Sequence, residues 1–192
     1  MNLIDSLLFQ GIRALREPRA AAADVIALGV PREAMGPALF LVVILSVILN
    51  SVTEMLAPNP LVRMTPFQMT ILVTVLILVF AYTIFKAGQL LGGIGTFQDS
   101  LLLMIFLQAL FLPAAATQVV LFLVSPGLAG LFIIAVMLFL TWLQINFIAA
   151  LHGFSSLGPA IGAMLVAMIG TFAVMVLVAP FFVTLVGAPE NV

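Results

Sequence analysis

Cysteine is absent from this 192-residue chain, and charged side chains are scarce. Without cysteine the protein has no disulfide, no thiol nucleophile and no thiolate ligand for a metal. The formal net charge of −1 leaves no basic surface for nucleic acid. A single histidine is too little for a His-rich metal site. We therefore expect no metal, no cofactor and no nucleic-acid partner.

Apolar side chains dominate what is present. Hydrophobic residues make up 65% of the chain and charged residues 7%, whereas soluble domains average about 25% charged residues. A soluble fold of this size could not hide so much apolar area, because small domains keep a large share of their surface exposed. The composition therefore indicates an integral membrane protein.

Five long apolar stretches follow one another along the chain. Each meets the ~20 apolar residues that a helix needs to cross the hydrocarbon core. They cover residues 34–56, 67–91, 99–124, 128–151 and 157–187. We predict an all-α, polytopic membrane helix bundle with five transmembrane helices, forming one domain over residues 34–192.

Residues 1–33 form an N-terminal segment of different character. Over residues 3–17 the apolar side chains recur at helical spacing, and the polar ones fall largely on the other side. This pattern predicts an amphipathic helix lying in the membrane interface. The alternative is a soluble-type helix packed on a partner domain. Pro18 predicts a turn after Glu17, and residues 19–28 can form a short second helix.

Basic residues are unevenly distributed about the spans. Four arginines precede the first span, namely Arg13, Arg16, Arg19 and Arg32. Lys86, near the end of the second span, lies on the same side of the membrane. Arg63 is alone on the other side. Because basic residues accumulate in cytoplasmic segments, we expect a cytoplasmic N-terminus and a C-terminus outside.

The stretch GQLLGGIGTFQD, residues 88–99, holds four glycines. It lacks the third glycine of a dinucleotide-binding loop, and the segment before it is a membrane helix instead of a strand. Gly88 and Gly92 form a G-x-x-x-G pair that permits close helix approach. Gly92, Gly93 and Gly95 can take positive φ and end a helix. We predict a rigid cytoplasmic corner between the second and third spans.

The corner ends in a start signal for the third span. Thr96 is a candidate N-cap, and Asp99 at the third helical position suits the positive end of the helix. The sequence Thr96-Phe97-Gln98-Asp99 resembles a capping box with Asp in place of Glu.

A family resemblance begins at this corner. The chain has a Gly-Gly-x-Gly-Thr-Phe corner, then a span with a central Leu-Pro, a deep Trp in the next span, and a short His-Gly turn. These are residues 92–97, Leu112-Pro113, Trp142 and His152-Gly153. In their order and spacing they resemble the bacterial branch of the Yip (Ypt-interacting protein) domain family, over roughly residues 35–187.

The resemblance implies five spans, a cytoplasmic N-terminus and, for a bacterial member, the cell inner membrane. Eukaryotic relatives are similar to trafficking factors that bind small GTPases through a long N-terminal segment. Here only about 33 residues precede the first span, and GTPase-type partnering through residues 1–33 is a third hypothesis. The resemblance implies no activity for the bacterial members.

Uncharged polar residues lie within the predicted spans. Gln108 and Gln144 are at similar height, and Asn146 and His152 continue the polar side of the fourth span. Buried amides need partners, so these residues either hold helices together by hydrogen bonds or form a polar groove that contacts lipid headgroups. His152, followed by Gly153, either caps a helix end or contacts a lipid phosphate.

Prolines and small residues predict how the spans pack. Pro113 and Pro180 are expected to kink the third and fifth spans. A stripe of small residues on the fifth span predicts tight helix packing, namely Ala160, Ala163, Ala167 and Gly170. Trp142 lies too deep for an interfacial belt and is expected at a helix–helix contact.

The sequence contains no catalytic constellation: no Ser-His-Asp set at matching depth and no carboxylate pair near the histidine. We expect a protein that is not an enzyme. The first hypothesis is a scaffold, an assembly or organising factor, or an accessory subunit of a membrane complex. It would bind membrane lipids and either a membrane-protein partner or a second copy of itself. The alternative is a lipid-handling protein or small-solute permease that uses the polar groove.

Overall fold

The computed structural model describes residues 11–56, 62–186 and 190–191, with side chains left out at 62–63, 181–186 and 190–191. Helix α1 is short, α2 to α6 are long, and β1 and β2 have two residues each. The bounds are α1 Pro18–Ala27, α2 Arg32–Leu56, β1 Val62–Arg63, α3 Pro66–Leu90, α4 Phe97–Val124, α5 Pro126–His152, α6 Leu157–Val186 and β2 Glu190–Asn191.

Helices α2 to α6 are the five predicted spans, and each end lies within two residues of its prediction. All five are long and apolar enough to cross a membrane. At ~1.5 Å per residue, even the shortest exceeds a ~30 Å hydrocarbon core. The all-α, five-span fold class is therefore confirmed.

The connections give the bundle two distinct ends. The loop between α3 and α4 and the turn between α5 and α6 lie at one end, which we call the corner end. The far end carries the turn between α4 and α5, and there β1 pairs antiparallel with β2. The most extensive contacts between helices join α3 to α6, α2 to α4, and α4 to α5.

The buried core lies near the corner end. In α4 the buried residues fall between Ser100 and Phe106, and beyond them only Ala115 is buried. In α5 they fall between Leu143 and His152, apart from Ala129. The far halves of these helices therefore present most of their side chains to the surroundings of the chain.

The N-terminal segment packs onto the corner end. Helix α1 contacts α5 and α4, and Ala21, Ala22 and Val25 are fully buried. Pro18 is the first residue of α1, and Gly29, just beyond its end, has a φ of +58°. The predicted short second helix is confirmed. The turn, in contrast, lies at Leu15 and Arg16, before Glu17, and Pro18 begins α1 directly after Glu17.

The helix expected over residues 3–17 lies only partly within the described residues. Residues 1–10 fall outside them, and residues 11–14 are helical. Here Ala14 is fully buried while Ile12 and Leu15 are exposed. Arg13 forms ion pairs with Glu17 and with Asp24 of α1, so this segment is tied to the helix that follows it.

Candidate functional site

The corner is built around the imidazole of His152, the last residue of α5. Its side chain is 2% exposed. A Cβ atom at Gly88 would overlap the imidazole, and one at Gly93 would lie 2.5 Å from the His152 Cβ. A Cβ at Gly95 would lie 2.7 Å from Leu151 Cγ and 2.9 Å from His152 Nδ1. Real Cβ atoms do not come this close, so glycine is required at three positions around one side chain.

Hydrogen bonds join the two sides of the corner. The Gly95 N–H donates to His152 Nδ1 at 3.3 Å, and the Ile94 N–H donates to the His152 carbonyl at 3.3 Å. Because Nδ1 accepts, this pattern assigns the imidazole proton to Nε2. Nε2 is buried, and the ring of Phe154 stacks on the imidazole at 5.5 Å.

The glycines of the corner therefore serve different purposes. Of the three expected to take positive φ, only Gly92 does so, at +83°. That prediction is wrong for Gly93 and Gly95: Gly93 is needed because His152 comes close, and Gly95 because Leu151 and His152 do. The two glycines of the G-x-x-x-G pair also differ in their surroundings. Gly88 touches the imidazole, whereas a Cβ at Gly92 would meet no atom within 4 Å.

Thr96 caps α4 as predicted, since its hydroxyl oxygen accepts from the Asp99 N–H at 3.1 Å. The rest of the predicted capping box differs. The Asp99 carboxylate accepts from the Thr96 hydroxyl at 2.6 Å and not from the backbone N–H, because Asp is one methylene shorter than Glu. A complete capping box occurs instead at the start of α3, between Thr65 and Gln68.

The four polar residues within the spans do not all meet. Gln108 Nε2 donates to Ser46 Oγ at 2.8 Å, which joins α4 to α2. Gln144 Nε2 approaches the sulfur of Met104 at 3.8 Å, from α5 toward α4. Asn146 Nδ2 donates to the Trp142 carbonyl of its own helix at 2.9 Å.

Gln108 and Gln144 share a cavity of about 260 Å³ between α3, α4, α5 and α6. Thr171 is the third polar residue in its lining, and the others are Leu76, Ile77, Phe80, Met104 and Leu107. Asn146 and His152 do not line it. The predicted four-residue groove is thus reduced to two amides and a hydroxyl over an apolar wall.

The small-residue stripe of α6 packs as predicted. Ala160, Ala163 and Ala167 are fully buried. A Cβ at Gly170, one step further along the same face, would lie 3.3 Å from Thr83 Cγ2 of α3. Beside it, the hydroxyls of Thr83 and Thr171 are 2.8 Å apart. Small side chains let α3 and α6 come close enough for this bond.

Both predicted kink sites lie inside continuous helices. Helix α4 runs through Pro113 to Val124, and α6 runs through Pro180 to Val186. Pro113 removes the hydrogen bond to the Ala109 carbonyl, and the Thr117 hydroxyl donates to the Pro113 carbonyl at 2.9 Å. The kinks themselves stay predictions.

Trp142 is 42% exposed, and its ring lies 5.7 Å from that of Phe139 on the same helix. Within this chain the indole is therefore not enclosed between helices, contrary to the prediction from its depth. Leu131, Ile134 and Leu138 are also exposed. With Trp142 they recur at helical spacing, and we call these four residues the α5 face.

Several of these contacts were not foreseen from the sequence. The sequence did not indicate the hydrogen bonds of Ser46 and Thr171. It also did not indicate that the glycines contact His152, which lies 57 residues beyond Gly95. One signal was available: with five spans, the residues before span three and those after span four must lie at the same end. Among the described residues, no group of His, Asp and Glu could hold a metal ion.

Comparison with known proteins adds one finding. Residues 12–185 match the Yip1 domain family. No curated protein and no solved structure gives a match. The matched region includes α1 to α5 and all but the last residue of α6, and it contains the glycine corner and His152. Since it covers most of the chain, the protein belongs to the Yip1 domain family.

Proposed function

We propose that this Yip1-family membrane protein is not an enzyme and acts as a scaffold, an assembly factor or an accessory subunit of a membrane complex. The observation that carries the proposal is the exposed α5 face, with an aromatic pair at its corner-side limit. It is the surface through which we infer that a membrane partner binds.

The depth of this face supports the proposal. Trp142 lies ten residues before the end of α5, which is about 15 Å along the helix and near the middle of a ~30 Å core. Interfacial Trp residues sit at headgroup level, where the indole N–H meets water. At mid-depth an exposed indole gains most from packing against another protein, and Trp is enriched among the interface residues that contribute most to binding.

The use of the other polar groups supports the same proposal. Gln108 is bonded to Ser46, Thr83 to Thr171, and Ser100 Oγ to the Ala81 carbonyl at 2.7 Å. Each joins two helices, which is how intramembrane polar groups stabilise a bundle. Groups used in this way are not free to transfer protons or attack a substrate.

Extraction in native lipid discs, followed by mass spectrometry, tests the proposal. The wild-type chain is expected to retain one membrane protein in a fixed ratio. Trp142→Leu should lose that protein by about tenfold or more, because aromatic residues that dominate binding at protein interfaces are worth about 2 kcal/mol or more. Phe40→Leu is the matched control: Phe40 is an exposed aromatic residue on α2, away from the α5 face.

Two results would count against the scaffold. Equal retention of the partner by both variants would remove the α5 face as the contact. A wild-type preparation with no protein partner and one enriched lipid would favour the second candidate, a lipid-handling protein or small-solute permease. The cavity shared by Gln108, Gln144 and Thr171 supports that candidate, since it combines hydrogen-bonding groups with an apolar wall.

We also propose that the protein lies in the bacterial inner membrane with its corner end in the cytoplasm. Five of the six basic residues lie toward the corner end of the bundle, namely Arg13, Arg16, Arg19, Arg32 and Lys86. Since the chain has no cysteine, a single introduced cysteine can show on which side of the membrane its loop lies. In intact cells a membrane-impermeant maleimide should label Gly127→Cys and spare Ser156→Cys. The reverse pattern would invert the proposed orientation.

A further inference from the structure

A second and larger cavity lies at the corner end, beside the N-cap of α4. Its volume is about 580 Å³, and it opens between the beginnings of α2 and α4. The lining residues are Arg32, Met35, Gly36, Thr96, Phe97, Gln98 and Leu101.

The cavity lies at the level of lipid headgroups. Arg32 is the first residue of α2 and Phe97 the first of α4, and both helices are candidate membrane spans that start at the corner end. Met35 and Leu101 lie about one turn further along the two helices. The lining therefore changes from polar to apolar with depth, as a phospholipid does.

Arg32 is held in place from one side only. Its Nε donates to Gln98 Oε1 at 2.7 Å, and Gln98 Nε2 donates to the Val30 carbonyl at 3.3 Å. The guanidinium has five N–H donors, so four remain on its two terminal nitrogens. These end-on donors have the spacing that binds two phosphate oxygens at once.

Within the described residues, Arg32 forms no ion pair with an acidic side chain. The ion pairs found there belong to Arg13. Glu33 is exposed and makes no ion pair with Arg32 there, while Asp99 is engaged by Thr96. An uncompensated, oriented cation thus borders a cavity with an apolar floor.

We propose that this cavity binds one anionic phospholipid, with its phosphate on Arg32 and an acyl chain along Met35, Phe97 and Leu101. The charge of Arg32 selects a phosphate-bearing headgroup, and the apolar floor selects a lipid over a free phosphate. This site goes beyond the proposed scaffold function, since it needs no protein partner and lies at a different place on the bundle.

Native mass spectrometry of the full chain, released from discs of phosphatidylcholine with added phosphatidylglycerol, tests the proposal. The wild type should keep one phosphatidylglycerol molecule preferentially. Arg32→Gln should lower that preference about tenfold, as expected for a charge-assisted contact. Arg32→Lys should retain part of it, because the charge remains and the paired donors do not. Leu101→Trp should also reduce it, by filling the floor with the charge unchanged.

The control is Arg19→Gln, since the Arg19 side chain is at the same end and donates to the Ser155 carbonyl at 3.4 Å without lining the cavity. It should keep the wild-type preference. An equal loss in both arginine variants would mean that only total charge matters, and would overturn the proposal. So would a wild-type chain without preference. A thermal shift by inorganic phosphate in pure phosphatidylcholine discs, equal to that by phosphatidylglycerol, would assign the site to free phosphate instead.

Discussion

At the scale of single residues, the corner depends on the packing of one large side chain, the imidazole of His152, against three glycines. His152 occupies the space that side chains at Gly88 and Gly93 would need, and together with Leu151 it fills the space beside Gly95. The sequence allowed the glycines to be predicted as a corner and His152 as a helix end. Apart from the shared end of the bundle, nothing local in the sequence linked them, because the end of α3 and the end of α5 meet only in the folded bundle.

Gly93→Ala should destabilise the protein by about 1–3 kcal/mol, the usual cost of overpacking, since its Cβ would lie 2.5 Å from the His152 Cβ. Gly130→Ala is the control. Gly130 lies inside α5 with no atom within 4 Å of a Cβ, and alanine is the better helix former there. Thermal unfolding in lipid discs measures both.

A second variant assigns the cause. Gly88→Ala overlaps the imidazole itself, so it should cost clearly less in a His152→Ala background than in the wild type. Additive effects of the two substitutions would show that they do not interact, and would contradict the proposed packing of the imidazole against Gly88.

At the scale of the helices, the sequence was most informative where composition and spacing act locally. The five spans were predictable because a membrane crossing needs a long apolar run, and the α6 stripe because small residues at helical spacing form one face. The bonds from Gln108 to Ser46 and from Thr83 to Thr171 were not, since several polar residues at similar depth could have paired instead. The predicted helix–helix contact of Trp142 is not formed within this chain, because depth alone does not tell which side of a helix faces its neighbours.

The packing of α6 on α3 leads to a prediction at this scale. Ala167→Leu should lower the stability by about 1–3 kcal/mol, because Ala167 is fully buried and a larger side chain pushes the two helices apart. The same substitution at Ala135, which is exposed on α5, should change the thermal midpoint little. Equal effects at both sites would contradict the close approach of α6 to α3.

At the scale of the whole molecule, the bundle is tightly packed at the corner end and open toward the far end. The N-terminal segment adds to the first region, where α1 packs on α5 and α4. The far halves of α4 and α5 bury only Ala115 and Ala129. An open apolar half of this kind is consistent with the proposed scaffold function.

Site-specific photocrosslinking in intact membranes tests that central claim most directly. A photoreactive benzoylphenylalanine would replace Leu138 on the α5 face, and in a separate variant Phe40 on α2; both native residues are exposed. We predict a discrete protein–protein product from position 138 and only lipid adducts from position 40. Lipid adducts alone at position 138, or the same protein products from both positions, would contradict the α5 face as a binding surface.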